Sequence, residues 1–199
     1  MPSTYHQRVA EEKRAAIVGA ATALFLQAGY AHTSLAKVAE AADVSKATLF
    51  KQFPTKAALF DAIVAEAWRT GTEDGAEPPT GDLRAGLTAL GIRYVALLTR
   101  PGMVALFRIV IAELPRFPEL GEAHFARGKM PYFDSVRRYL EVEPAVRVPD
   151  AELAATQFLG MIANHVFWPR LLLLDYALSD EAAAHVVDEA VATMVARYG

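Results

Sequence analysis

An all-α fold is what this sequence predicts: about nine helices, a small N-terminal three-helix group followed by a larger helical domain. Three observations carry that prediction. Apolar residues recur at i, i+3, i+4 and i+7 along most of the chain, the period of an amphipathic helix. Ser, Thr and Asp stand where such runs begin, and Gly or Pro where they end. No stretch alternates apolar and polar residues as a half-buried strand does. The 199 residues, 53% hydrophobic and 22% charged, suffice for one large core or two smaller ones.

The first run, Arg8 to Ala28, places Val9, Ala16, Ile17, Ala20, Leu24 and Phe25 at helical spacing, and Gly29 ends it as a residue suited to the left-handed region. Thr33 or Ser34 caps a second helix with Leu35, Val38, Ala39 and Ala42 on one face. Asp43-Val44 forms a turn, and Ser45 caps a short third helix. Phe53-Pro54 ends it, because proline pushes the preceding residue out of the α region. Thr55 caps a fourth helix that runs through Leu59, Phe60, Ile63, Val64 and Ala67 to about Thr70.

Residues 71–82, GTEDGAEPPTGD, read as a linker rich in glycine, proline and acids. Helices follow over Leu83–Thr99 and Met103–Glu113. Pro115 and Pro118 break the chain before a long helical stretch, Glu119 to Glu141, expected to kink or break at Pro131. EPAVRVPD is a second loop, Asp150 to Trp168 another long helix, and Ser179 caps the last one, to about Tyr198. On this reading residues 1–54 form one domain and residues 55–199 a second, with the helix 55–70 as connector.

Several chemistries are missing from the pattern. There is no cysteine, which removes disulfides and thiolate metal sites. The five histidines, His6, His32, His124, His165 and His185, fall in no HExxH, Glu-x-x-His or Ser/His/acid grouping, and the glycines form no phosphate-cradling loop. No enzyme, metal or cofactor is expected, an all-α enzyme being the distant alternative. The N-terminus lacks the apolar run of a signal peptide. The most membrane-like stretch, Phe158–Leu174, contains Asn164, His165, Pro169 and Arg170 and falls short of the about 20 apolar residues of a span. A cytoplasmic protein with no membrane partner is expected.

Charge is divided unevenly. Residues 1–56 hold seven Lys/Arg against four acids, a net +3 in a chain of net −3, so the remainder carries −6. A positive head on an acidic body fits a polyanionic partner for the head. Within it, DVSKATLFKQF (43–53) holds a helix too short to stand alone in water. With Leu49 and Phe53 inward, the helical turn of 100° per residue sends Ala47 and Lys51 outward, flanked by Thr48 and Phe50. Lys46 stands at the helix start, where N–H groups are free and the dipole is positive. A narrow helix with small, hydroxyl, aromatic and basic outer residues suits entry into a DNA major groove. Lys37 and Lys56 on the flanking helices, and the hydroxyls of Thr33, Ser45 and Thr55 at helix starts, extend the candidate contacts to phosphates. Lys56 opposes the dipole of its own helix, a cost that a phosphate contact offsets.

These features stand within a longer pattern. Ala15 to Val64, with A..LF...GY..TS...VA..A.VS..TLF..F..K..LF, closely resembles the DNA-binding domain of the TetR family of bacterial transcriptional regulators. The resemblance implies that residues 33–53 hold a helix-turn-helix, that Lys56 is a phosphate anchor, and that the rest is a helical domain for dimerisation and ligand sensing. Two places depart from the common pattern. Asp43 stands where glycine is usual in the turn, and aspartate tolerates the left-handed region better than most residues. Phe50 and Gln52 stand where Tyr and His are frequent. Phe50 cannot bond a phosphate, which narrows it to apolar contact with a thymine methyl or sugar. Gln52 can donate to a phosphate or read an adenine edge, and its direction from the inward face favours the phosphate.

RIVIAELPRFPELGEAHFARG (108–128) and QFLGMIANHVF (157–167) resemble the C-terminal region of a TetR-family subgroup linked to efflux and stress regulation. Independently, Leu153 to Trp168 is apolar nearly all round, which predicts burial on both sides. The last helix aligns Ala183, Val187, Ala190, Val191 and Met194 on one face. With Leu153 and Gly160 these are the expected dimer contacts, in a four-helix interface that the resemblance implies; an intramolecular core is the alternative. Tyr94, Met103, Phe107, Phe125, Met130, Phe133 and Trp168 are the candidate lining of an effector pocket, with Arg108, Asn164 and His165 as polar handles. Asn164 and His165 stand out as polar groups in a run expected to be buried, where they need partners.

The function expected is that of a ligand-responsive transcriptional regulator. A homodimer places two copies of Lys46–Phe53 in successive major grooves of a palindromic double-stranded DNA operator, about 34–36 Å apart. A small apolar or aromatic effector releases this repressor. Activation, or regulation without an effector, are the alternatives.

Overall fold

The computed structural model describes residues 4–69, 78–144 and 146–199, with side chains from His6 onward. Most of the expected linker, residues 71–77, lies outside the described residues, as does Thr70, the expected end of the fourth helix. The described residues form helices and no strand. In chain order these are α1 (Thr4–Ala28), α2 (Leu35–Ala41), α3 (Lys46–Gln52), α4 (Lys56–Ala67), α5 (Leu83–Thr99), α6 (Met103–Glu113), α7 (Glu119–Ala123), a π-helical turn (His124–Lys129), α8 (Met130–Val142), α9 (Ala151–Val166), α10 (Trp168–Leu172) and α11 (Asp180–Tyr198). The five-residue α7 and α10 account for the excess over the expected nine.

The chain divides into two compact units, residues up to 67 with 108–127, and residues 68–107 with 128–199. This division differs from a boundary at 54/55, because α4 groups with the helices before it and a mid-chain segment joins them. In the first unit α1 packs on α2 and α4, α2 on α3, and α4 on α7. Its core includes Ile17, Phe25, Tyr30, Val38, Leu49, Phe53, Leu59, Phe60 and Val64, all buried. Gly29, at φ 80°, ends α1 in the left-handed region that a Cβ disfavours.

In the second unit α5, α9 and α11 pack on one another and α8 packs on α9. A Cβ built on Gly91 of α5 would lie 2.7 Å from Val187 Cγ1 of α11, so these helices meet closely because residue 91 has no side chain. This packing corrects the expected dimer face. Ala183, Val187, Ala190, Val191 and Met194 are each 7% exposed or less, within the protomer's own core. The expected all-round burial of α9 is corrected as well: Ala154, Ala155, Phe158, Leu159, Ile162 and Val166 are buried, while Leu153, Gly160, Asn164 and His165 are exposed.

The break expected at Pro131 falls just before it. Proline lacks the N–H that would bond back into the preceding turn, and its ring crowds the carbonyl four residues earlier. The wider π turn over His124–Lys129 takes up that mismatch, and Pro131 sits in the first turn of α8.

Candidate nucleic-acid interface

The helix-turn-helix is built from local signals in the order they were read. Ser34, extended at φ −102° and ψ 151°, caps α2 by accepting the Lys37 N–H. The chain leaves α2 through Asp43, at φ 51° the positive-φ residue other than glycine among those described. Ser45 caps α3, its hydroxyl accepting the Thr48 N–H at 3.1 Å and lying 2.9 Å from the Thr48 hydroxyl. Leu49 and Phe53, 0% and 2% exposed, fix the inner face of α3. Burying two such side chains contributes about 1.5–3 kcal/mol each, enough to hold a helix too short to persist alone.

The outer face of α3 is then set by geometry. Lys46, Ala47, Phe50 and Lys51 are exposed, Phe50 by 47%, and Thr48 is half-buried beside them. Lys37 and Ser45 are exposed as well. A groove-sized helix thus presents two lysines, an aromatic ring and a small residue outward.

Three expected contacts turn inward instead. Thr33 is 3% exposed and its hydroxyl donates to the Gly29 carbonyl at 2.9 Å, closing the end of α1 rather than meeting a phosphate. The Gln52 side-chain amide donates to the Ala10 carbonyl of α1 at 3.4 Å. Lys56 Nζ donates to the carbonyls of Tyr30 at 2.7 Å and Thr33 at 3.0 Å, using two of its three donors inside the first unit. Its ammonium lies 4.3 Å from the centre of the Tyr30 ring. Burial lowers the Lys56 pKa below its usual value, against the opposing pull of Glu113 and Glu119.

Sequence reading missed the residues around that lysine. Tyr30 packs against Phe25, Phe60 and Phe117 at ring separations of 5.2, 5.6 and 5.0 Å. Its phenol is pushed up to about 12, first by burial and then by Glu119, Asp61 and Glu113. Glu113 Oε1 accepts the Ala31 N–H at 3.0 Å. Arg14 places its guanidinium 4.5 Å from the centre of the Phe53 ring. The Gly29-Tyr30 pair in the motif was the available signal for Tyr30; nothing local marks Glu113, 82 residues from its partner.

The candidate effector residues are divided. In the second unit Tyr94 stacks on Tyr132 at 5.2 Å and meets Phe133 edge-on at 6.4 Å. Phe107 meets Phe167 at 4.4 Å and Trp68 at 6.2 Å. Met103 is buried and Met130 half-buried. Burial pushes the Tyr94 phenol far above its usual range, so the hydroxyl stays protonated. Phe125 and Arg108 belong to the other unit and are exposed, and Trp168 is 49% exposed. Asn164 and His165 are corrected too: both face solvent, because only one side of α9 is buried, and His165 Nδ1 lies 3.3 Å from the Met161 carbonyl.

Among the described residues no group of three or more His, Asp or Glu is placed to hold a metal ion. No single helix among them is long and apolar enough to cross a membrane.

Comparison with known proteins bears on both parts of the chain. Residues 17–63 match the model for bacterial regulatory proteins of the tetR family, and residues 85–199 match that for the C-terminal domain of AefR-like transcriptional repressors. A search of curated proteins gave no match. Among solved structures, a protein from Mesorhizobium loti MAFF303099 is 26% identical with a TM-score of 0.79, covering 96% of this chain and 98% of that one. A TetR family transcriptional regulator from Pseudomonas syringae pv. tomato str. DC3000 is 28% identical with a TM-score of 0.73, over 94% and 96% of the two chains. The flavonoid-responsive regulator FrrA is 27% identical with a TM-score of 0.72, also over 94% and 96%.

Proposed function

We propose that this chain, which belongs to the TetR family of bacterial transcriptional regulators, is a dimeric repressor that reads a palindromic operator and leaves it when a small aromatic effector binds. Members of this family are DNA-binding regulators and not enzymes. The observation that carries the DNA reading is the outer face of α3, with Lys46, Ala47, Phe50 and Lys51 exposed on a helix pinned by Leu49 and Phe53. Lys37, Ser45 and Thr48 border it. Two such helices, about 34–36 Å apart in a dimer, fit successive turns of one groove. In this reading residues 1–54 contact DNA, the helix that follows connects, and residues 55–199 hold the effector and the dimer contacts. The cytoplasm is its place of work.

The dimer is assigned to the exposed side of α9, beside α11. Leu153, Gln157, Gly160 and Asn164 fall within about 60° of one another on the helix and are all exposed. A Cβ on Gly160 would meet nothing within 4 Å, so the protomer itself has no use for a glycine there. A mid-helix glycine costs about 1 kcal/mol against alanine, and the close crossing of a partner helix is what offsets it.

The effector is assigned to the aromatic groups around Tyr94 and Phe107. Stacked rings with a protonated phenol suit a flat, apolar molecule that offers a hydrogen-bond acceptor. The flavonoid response in the name of FrrA supports that class. The description of the C-terminal match, an AefR-like transcriptional repressor, supports repression over activation.

Selection from a pool of random duplexes tests the proposal. Enrichment of one inverted repeat supports it, and a panel of flavonoids and other planar aromatics is then screened for release of that duplex. A pool that stays unenriched removes the DNA reading, and a released complex with no aromatic in the panel active removes the effector class.

A further inference from the structure

We infer that Glu113 is a positioning residue for DNA binding, which together with Lys56 locks the α1–α2 turn and so sets the angle at which the helix-turn-helix is presented. The inference rests on the DNA reading of α3 above. Residues 29–34 form the only covalent link from α1 to α2, and α2 carries α3 against it. Three backbone groups of that turn are held from outside it. Lys56 Nζ, at the start of α4, binds the carbonyls of Tyr30 and Thr33 at 2.7 and 3.0 Å. Glu113 Oε1, at the end of α6, accepts the Ala31 N–H at 3.0 Å. The same carboxylate oxygen lies 3.1 Å from where a Cβ on Gly29 would stand. A side chain at residue 29 would therefore press on the carboxylate.

The apolar side of the turn is held by α4 and by the segment that follows α6. The Tyr30 ring meets Phe60 of α4 at 5.6 Å and Phe117, just after α6, at 5.0 Å. Lys56 Nζ lies over the Tyr30 ring at 4.3 Å and 5.8 Å from the Phe117 ring centre. Arg127 pairs with Asp61 of α4 at 3.1 Å, tying the far end of the 108–127 segment to the same unit. The ligating atoms converge on residues 30–33, immediately ahead of Ser34, the cap that starts α2. Withdrawing the carboxylate leaves the Ala31 N–H without its acceptor, and the turn then samples other arrangements. DNA affinity falls by the fraction of time spent in them.

Glu113→Ala, Glu113→Gln and Lys56→Met, each checked by thermal melting for a cooperative fold, are compared with the wild type. Amide hydrogen exchange is read on the free protein, and affinity on the duplex enriched by the wild type. Glu113→Ala is expected to speed exchange at Ala31 by about tenfold and to weaken duplex binding by about fivefold to tenfold, with the salt dependence unchanged because no phosphate contact is lost. Glu113→Gln, which keeps a carbonyl acceptor, restores most of both. Lys56→Met keeps the apolar stem over Tyr30 and is expected to weaken binding at the same salt slope.

Exchange and affinity unchanged in Glu113→Ala would overturn the inference. So would faster exchange with wild-type affinity, since the turn would then be structural only. A salt slope flattened by about one unit in Lys56→Met would return that lysine to the phosphates and remove it from the lock. A wild type that binds no duplex sinks the DNA reading and the positioning role with it, while the exchange measurement still reports whether Glu113 holds the turn.

Discussion

Helices α3 and α11 were both read from one-sided apolar patterns, and the two readings met different fates. In α3 the inner pair Leu49 and Phe53 is buried and the opposite face is exposed. In α11 the apolar face is as clear, yet it was assigned outward, to a partner subunit, and the protomer buries it under α5 and α9. The difference lies in what the pattern can specify. Periodicity identifies an apolar face, and a seven-residue helix has only its immediate neighbours to cover one. A nineteen-residue helix has several candidates, and Gly91, which opens α5 to Val187, decides among them from 96 residues away.

Substitutions can break this comparison, and the largest expected effect is Ala190→Arg. At 2% exposure an arginine there meets the protomer's core, and the expected cost is about 3–5 kcal/mol, seen as a collapse of the melting transition. A well-folded Ala190→Arg monomer would instead restore the outward assignment of α11. Gly160→Arg is the counterpart on the exposed side of α9. It should melt within about 1 kcal/mol of the wild type, yet sediment as a monomer at micromolar concentration. A dimer that persists moves the interface off this face.

Lys51→Ala comes next. On the proposed interface, removing this exposed lysine should weaken binding to the selected duplex by about tenfold and reduce the salt slope by about 0.9. An unchanged slope means that the exposed side of α3 does not face phosphate. The smallest effect is expected from Asp43→Gly. The left-handed φ of 51° is strained for aspartate, and relief of that strain slightly exceeds the entropy a glycine adds to the unfolded chain. A gain of about 0.5 kcal/mol in chemical denaturation is expected, and a loss would show that the Asp43 side chain contributes more than its backbone strain takes away.

Most of the fold was legible because its signals are local. Ser34, Ser45, Asp82, Asp150 and Ser179 each cap the helix that follows, and each lies within three residues of the N–H it accepts. The family resemblance added the identity of the short helix. What was not legible is nonlocal. Lys56 was read from its charge and its helix position, but the carbonyls it binds lie 26 and 23 residues earlier in the chain. Thr33 and Ser34 were equal candidates for one cap; Ser34 took it, and Thr33 turned back to close α1. Asn164 and His165 looked like buried polar groups because the residues around them are apolar. The sequence does not say that one side of α9 is left uncovered, and that side is where both stand. The role of Glu113 depends on a contact with Ala31 that no spacing rule reaches.

The central claim is that two copies of the exposed α3 face read one symmetric site. A hydroxyl-radical footprint of the wild type on its selected duplex tests it most directly. The account predicts two protected patches related by a dyad, with half-site centres about 34–36 Å apart and protection at their flanks weakened in Lys51→Ala. A single unsymmetric patch, or a symmetric footprint that Lys51→Ala leaves unaltered, would contradict it.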